Sequence, residues 1–168
     1  RILNVFNPPV AGLSEGEAFH RYVEKFALEI PDHPAVVYMD KQLTYGELNE
    51  RAERLASLLR EQGVGRETIT GIWAERSVEL LVGVLAVWKA GGAYVPLDPD
   101  YPAERIEYML SDSEATVLLT QRHLLERAGG WLADDRLKLQ AVYAMDDEQI
   151  YNGDALAVEF ESAGSAPQ

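Results

Sequence analysis

A chain of 168 residues has the length of one ordinary domain, and folding at that length removes roughly 70% of the unfolded chain's surface from water. Hydrophobic residues make up 47% and charged residues 26%, a composition typical of globular domains that excludes a disordered chain. The formal net charge of −13 argues against nucleic acid and anionic membranes as partners, because surfaces that bind phosphates need clustered Lys and Arg.

The first predicted elements are a linker, a helix and a hairpin. Residues 1–14 contain Asn7-Pro8-Pro9, which breaks regular structure and predicts an interdomain linker. Apolar residues then recur at helical spacing from Glu15 to Ile30, and Pro31 ends the pattern. A short apolar strand at 35–39 follows and is predicted to pair with 42–44.

Thr44 begins the second predicted helix. Glu47 stands three residues later, which is the spacing of a capping box, where each side chain accepts a hydrogen bond from the other residue's backbone N–H. Gly63 is predicted to end this helix. Its apolar residues form one stripe that predicts a buried face: Leu48, Ala52, Leu55 and Leu59.

The remaining chain alternates strands with helices. We expect strands at 68–73, 93–97, 115–120 and 139–143, and helices that begin at Ser77, Pro102 and Gln121. This order predicts an α/β fold with a mostly parallel sheet and helices on both faces. The helix after Ser77 is apolar nearly all round and should be buried on most faces, whereas 152–168 lacks periodicity and predicts a loop or tail.

The chain has no cysteine, which excludes a disulfide framework and a thiolate metal site and favours the cytoplasm. Its longest uninterrupted apolar run, Leu80 to Trp88, is too short to cross a bilayer. The chain starts at Arg1 without a secretory signal pattern, and we expect both ends to be interior points of a longer polypeptide.

Two glycine-rich segments invite comparison with phosphate loops. Gly63-Val64-Gly65 and Ala90-Gly91-Gly92-Ala93 both follow predicted helices, whereas a dinucleotide fingerprint lies between a strand and the helix after it. Both segments are therefore predicted to be turns that end helices, with Lys89 complementing the negative end of its helix.

Two further motifs are specific. Leu43-Thr44-Tyr45-Gly46-Glu47-Leu48 resembles the first core motif of the adenylation domains of nonribosomal peptide synthetases, and the segment from Val87 to Ser113 resembles the second, in the order and at the spacing of that family. The matching positions, to which the resemblance assigns a structural role, are Leu43, Thr44, Tyr45, Glu47, Leu48, Lys89, Ala90, Gly91, Ala93, Tyr94, Pro96, Leu97 and Asp98.

The resemblance implies that residues 15–151 form the N-terminal subdomain of the adenylate-forming enzyme fold, and that Ile2 to Asn7 belong to the linker that follows a condensation domain. In that family the complete domain uses ATP and Mg²⁺ to join an amino-acid substrate to AMP. It then passes the aminoacyl group to the phosphopantetheine thiol of a carrier domain.

The family's phosphate loop and catalytic lysine lie in motifs that this sequence does not contain. We therefore assign no catalytic, cofactor-binding or metal-binding residue and expect the chain alone to be inactive. We also expect it to self-associate through a face that the rest of the domain would cover. Two alternatives stay open: another adenylate-forming ligase, such as an acyl or D-alanyl carrier-protein ligase, or a non-enzymatic α/β interaction module.

The carboxyl ends of the predicted parallel strands supply the best internal site candidates, because open α/β sheets bind ligands there. These candidates are Glu75, Arg76, Asp98 and Asp100. A structural interpretation is favoured for all four, since the aspartates can cap the helix that starts at Pro102 and Glu75 can pair with Arg76.

Other polar and aromatic residues carry weaker signals. His20, His33 and His123 have no second ligand at metal-binding spacing and predict ordinary surface positions. The run at 146–148 is acidic but lacks the pattern of a calcium loop, so it predicts a solvated turn. The tryptophans are predicted to pack in or near the core: Trp73, Trp88 and Trp131.

Overall fold

A computed structural model of the protein describes residues 15–152. The predicted linker at 1–14 and nearly all of the predicted tail lie outside the described residues. The elements are α1 (Glu15–Glu29), β1 (Pro34–Tyr38), β2 (Lys41–Thr44), α2 (Tyr45–Glu61), β3 (Ile69–Trp73), α3 (Val78–Lys89), β4 (Ala93–Leu97), α4 (Ala103–Ser113), β5 (Val117–Thr120), α5 (Arg122–Ala128) and β6 (Ala141–Ala144), with 3-10 helices at Gly129–Ala133 and Glu148–Tyr151.

The central sheet is parallel throughout and has the strand order β4-β3-β5-β6. Each step from strand to strand passes through a helix or a longer connection, as parallel pairing requires. β1 and β2 form a separate antiparallel hairpin. The predicted α/β class with a parallel sheet is therefore confirmed.

Helices cover both faces of this sheet. One face carries α1, α2 and α3, whose buried residues Phe19, Leu55 and Leu85 share a core with Val117 and Leu119 of β5. The other face carries α4 and α5, whose core residues include Ile106, Leu110 and Leu124 together with Leu118 of β5. Adjacent residues of one strand thus enter different cores, as the alternation of side chains along a strand dictates.

The capping box predicted at the start of α2 is present. Thr44 Oγ1 accepts a hydrogen bond from the backbone N–H of Glu47 at 3.1 Å, and Glu47 Oε1 accepts one from the N–H of Thr44 at 2.9 Å. These two bonds satisfy backbone donors that the first turn of a helix otherwise leaves without partners.

Thr44→Ala should therefore lower the free energy of unfolding by about 1 kcal/mol, because it removes one bond of the box without opening a cavity. At this chain length the melting temperature should fall by roughly 2–4 °C. Thermal denaturation followed by circular dichroism measures the change, with Thr44→Ser as the control that keeps the hydroxyl. A melting temperature equal to that of the wild type would show that the cap contributes nothing.

α3 is buried nearly all round, as predicted. Ser77 caps its start by accepting a hydrogen bond from the N–H of Leu80, and eight of its twelve residues are buried. The helix ends at Lys89, and Gly91 follows with φ of 85°. Because that backbone geometry is unfavourable for residues with a side chain, the glycine-rich turn is explained by the geometry of a helix end.

Two details of α4 differ from prediction. Pro102 is the residue before α4 rather than its first helical residue, and α4 has no side-chain cap. The prediction that Asp98 or Asp100 caps this helix is wrong, because Asp98 Oδ1 instead accepts a hydrogen bond from the N–H of Asp100 within its own turn. After α5 the chain continues as the 3-10 helix at Gly129–Ala133.

Candidate functional site

The parallel strands place four loops at one edge of the sheet, here called the carboxyl edge. It contains Asp98 after β4, Glu75 after β3, Gln121 after β5 and Asp146 after β6. In open α/β sheets ligands bind at this edge. The expected candidates therefore do lie along one edge, with Arg76 in the same loop as Glu75 and Asp100 two residues beyond Asp98.

Gln121 organises the middle of the carboxyl edge. Its side chain is 5% exposed, and its Oε1 accepts a hydrogen bond from the N–H of Glu75 at 2.8 Å. Its Nε2 lies 3.4 Å from Oγ of Ser77, the residue that caps α3. The buried amide thus joins the loop after β3 to the end of β5 and fixes the start of α3, a role that sequence reasoning missed.

Glu75 pairs with a histidine. Its Oε1 lies 3.1 Å from Nε2 of His123 in α5, and the two side chains are 54% and 47% exposed. Such a half-exposed contact contributes little to stability because water screens it. His123 is thus a surface residue, as predicted, and its contact engages the carboxylate of Glu75, one of the four candidates.

The acidic residues at 146–148 each make a structural contact. Asp146 Oδ1 accepts a hydrogen bond from the N–H of Arg122 at the start of α5. Asp147 caps the last 3-10 helix, and Glu148 lies 2.8 Å from Nη2 of Arg51. The acidic turn is exposed at Glu148, as predicted, and it also joins β6, α5 and α2.

The side chains of the carboxyl edge thus bind one another or nearby backbone. Within residues 15–152 there is no group of three His, Asp or Glu side chains that could hold a metal ion. The same part of the chain contains no helix long and apolar enough to cross a membrane. The contacts seen at this edge position its loops relative to one another.

A groove of about 360 Å³ lies between the hairpin, α2, α3 and the last 3-10 helix. Val78, Val82 and Tyr151 line its apolar part. Two ion pairs line it, since Lys41 lies 3.4 Å from Glu79 and Arg51 is bonded to Glu148. Asp40 adds a further carboxylate, so the groove carries a net negative charge and does not favour an anionic ligand.

Lys89, in the second motif, is the most unusual of the motif residues. Its side chain is 1% exposed, and Nζ lies 2.7 Å from Oε2 of Glu24 in α1 and 3.0 Å from Oε2 of Glu53 in α2. The hydrogen bond from Lys89 lowers the pKa of the Glu24 carboxyl. The sequence had predicted only that Lys89 complements the end of its own helix. In the structure it joins three helices, and Arg60 Nη2 also donates to its carbonyl oxygen.

The other motif residues have structural surroundings. In the first motif Leu43 and Leu48 are buried and Tyr45 packs against Phe26, with ring centroids 5.1 Å apart. In the second motif Leu97 is buried, whereas Asp98 is exposed in its turn. Ala90 directly follows α3, and β4, an outer strand of the described sheet, contains Ala93, Tyr94 and Pro96.

The tryptophans pack as predicted. Trp73 is 3% exposed and lies 5.5 Å from Trp131 between ring centroids. Trp88 meets Phe19 edge to face at 5.7 Å. Their contacts account for them as packing residues.

Comparison with known proteins assigns the fold and its motifs to a family. A sequence model of the family described as AMP-binding enzyme matches residues 23–167, so the chain belongs to the AMP-binding enzyme family. Tyrocidine synthase 3 of Brevibacillus parabrevis is 50% identical over 154 residues, which cover 90% of this chain and 2% of that protein. Bacitracin synthase 1 of Bacillus licheniformis is 44% identical over 153 residues, covering 91% and 3%. The chain thus spans a small part of these relatives.

Solved structures give the same assignment. A crystal structure of the nonribosomal peptide synthetase FmoA3 matches 84% of this chain and 15% of that chain, with a TM-score of 0.68 and 30% identity. Its AMPPNP-bound form matches 77% and 13%, with a TM-score of 0.66 and 32% identity. The chain is therefore a segment of a nonribosomal peptide synthetase adenylation domain, and the predicted resemblance is confirmed.

Proposed function

We propose that the chain is the structural N-terminal part of an adenylation domain that uses ATP and Mg²⁺ to convert an amino acid to an aminoacyl adenylate. The observation that carries this proposal is the presence of both core motifs in one compact α/β unit. Over 77% of this chain, the unit resembles part of the AMPPNP-bound synthetase FmoA3. The acceptor of the aminoacyl group is the phosphopantetheine thiol of a carrier domain.

The chain itself supplies the framework rather than the chemistry. The carboxylates of the carboxyl edge are engaged in a turn, a loop junction and a histidine contact. Lys89, the cation of the second motif, is held by two carboxylates inside a helix cluster. Stabilising charge on a transferring phosphoryl group needs donors and a cation aimed at it, and these groups are committed elsewhere.

The isolated chain should therefore show no exchange of pyrophosphate into ATP that depends on an amino acid. The complete adenylation domain, assayed beside it with the same twenty amino acids, should show exchange well above background with at least one. Exchange catalysed by residues 1–168 alone would contradict the division between framework and chemistry. A complete domain that exchanges with none of the twenty would count against amino acids as the substrate class.

The gene beyond the codon for Gln168 separates the remaining alternatives. An in-frame Ser, Thr and Gly-rich loop that ends in lysine supports the adenylation-domain proposal. A stop codon favours an independent interaction module. Substrate-pocket residues downstream would distinguish an amino-acid-activating domain from an acyl or D-alanyl carrier-protein ligase.

The partners we propose are the rest of the adenylation domain, a condensation domain reached through the linker at 1–14, and a downstream carrier domain.

Large apolar side chains are exposed on the described surface, among them Leu28 and Met39 at 85% and 82%. Exposed apolar surface promotes association, which the charge of −13 opposes only in part. We therefore propose that the isolated chain self-associates, which sedimentation over a concentration series would test.

A further inference from the structure

α1 is attached to the rest of the fold differently from the other long helices. α3 lies between strands of the central sheet in sequence and is buried nearly all round. α1 comes before the hairpin and packs on α2 and α3. Its buried apolar residues in the core are Phe19 and Val23, and Leu28 on the same helix is 85% exposed.

The carboxyl end of α1 is tied to the start of α2 by backbone bonds. The N–H of Gly46 donates to the carbonyl of Pro31 at 3.0 Å, and the N–H of Tyr45 donates to the carbonyl of His33 at 2.9 Å. Gly46 also lets Pro31 approach closely, since a Cβ at Gly46 would lie 3.2 Å from the Pro31 carbonyl oxygen. These bonds fix residues 31–33 to the start of α2.

The strongest polar link across the α1 interface is the ion pair between Glu24 and Lys89. Lys89 Nζ is 2.7 Å from Glu24 and 3.0 Å from Glu53, so one buried ammonium is shared by two carboxylates. Only Glu24 belongs to α1, while Glu53 belongs to α2. If α1 moves away, Lys89 keeps Glu53 as a partner, and the opening leaves no buried cation without a counter-charge.

We propose that α1 is a separately opening helix that hinges at residues 31–33 and is latched by the Glu24–Lys89 ion pair. This ion pair, here called the latch, connects α1, and with it the preceding part of the polypeptide, to Lys89. Lys89 is the first matching position of the second core motif. Opening separates Trp88 from Phe19, and the two rings meet edge to face in the closed state. This inference concerns the mechanics of the fold and holds whether or not the parent domain activates amino acids.

Hydrogen exchange measured by mass spectrometry on the 168-residue chain tests the latch. In the wild type, the α1 amides should exchange through an opening that costs less free energy than the opening that exposes α3 and β5. Glu24→Gln should speed exchange in α1 about tenfold or more while α3 and β5 stay within about twofold, because only the latch is weakened. Glu53→Gln is the matched control and should not speed exchange in α1, because the closed state keeps the Glu24–Lys89 pair while the open state loses the counter-charge of Lys89.

A double-mutant cycle completes the test. In a Lys89→Met background, Glu24→Gln should no longer speed exchange in α1, since the ion pair is already gone and the substitution only relieves repulsion between Glu24 and Glu53. The proposal is overturned if α1 and α3 exchange at the same rate in the wild type, or if Glu53→Gln speeds α1 as much as Glu24→Gln does. It is equally overturned if Glu24→Gln speeds α1 and α3 together, or keeps its tenfold effect in the Lys89→Met background.

Discussion

Leu85→Ala is expected to lower the free energy of unfolding by about 2–5 kcal/mol, the largest loss of stability that we predict for a single substitution in this chain. Leu85 is 0% exposed in the middle of α3, where it shares a core with residues of α1, α2 and β5. The substitution removes buried apolar surface and leaves a cavity that a helix packed on several sides cannot close. The melting temperature should fall by roughly 2–4 °C for each kcal/mol lost.

Leu28→Ala is the matched control, because the same atoms are removed from a helix residue that is 85% exposed. Its effect should stay within about 0.5 kcal/mol. Urea denaturation of both variants gives the comparison directly. Equal stability of the two variants would contradict the burial of α3 on most of its faces.

Gly71→Ala tests the opposite face of the sheet, where we expect a loss of about 1–3 kcal/mol from overpacking. A Cβ at Gly71 would lie 2.8 Å from Cδ2 of Leu110 and 3.1 Å from Cδ1 of Leu118. Both leucines are at most 1% exposed, so neither side chain can move into solvent. Removing a glycine restricts the unfolded chain and stabilises by about 0.4–1 kcal/mol, which the steric cost should exceed.

Gly65→Ala is the control for this prediction. A Cβ at Gly65 would meet nothing within 4 Å, so the substitution keeps the change in the unfolded state but adds no clash. The same denaturation experiment should find Gly65→Ala close to the wild type or slightly more stable. A Gly71→Ala variant as stable as Gly65→Ala would show that β3 does not approach α4 as closely as these distances require.

Local signals in the sequence predicted most of the fold. The capping box at Thr44 depends on a residue three positions away, and the burial of α3 follows from an apolar run of adjacent residues. The alternation of strands and helices fixed the class, since parallel strands need crossover connections. Element ends were less accurate: Pro102 precedes α4, and the turn between β1 and β2 places Met39 at φ of 58°, a conformation that its residue type does not suggest.

The contacts that the sequence could not provide join residues far apart in the chain. Lys89, Glu24 and Glu53 are carried by three helices, and only the packing of those helices brings the charges together. The contacts of Gln121 and His123 with the loop at Glu75 likewise depend on β5 lying next to β3. No rule of sequence spacing relates positions so far apart. The sequence therefore predicted which residues lie at the carboxyl edge but not the hydrogen bonds between them.

We propose above all that the motif residues of this chain build the framework of an adenylation domain and do not take part in its chemistry. Pyrophosphate exchange by the complete domain with Asp98→Asn tests this most directly. Asparagine keeps the oxygen that accepts from the N–H of Asp100 but removes the negative charge. We predict kcat and KM for ATP and for the amino acid within about twofold of the wild type, because a change confined to an exposed turn leaves transition-state interactions intact. A fall in kcat of about 100-fold or more at an unchanged melting temperature would contradict the framework role and place Asp98 in the reaction.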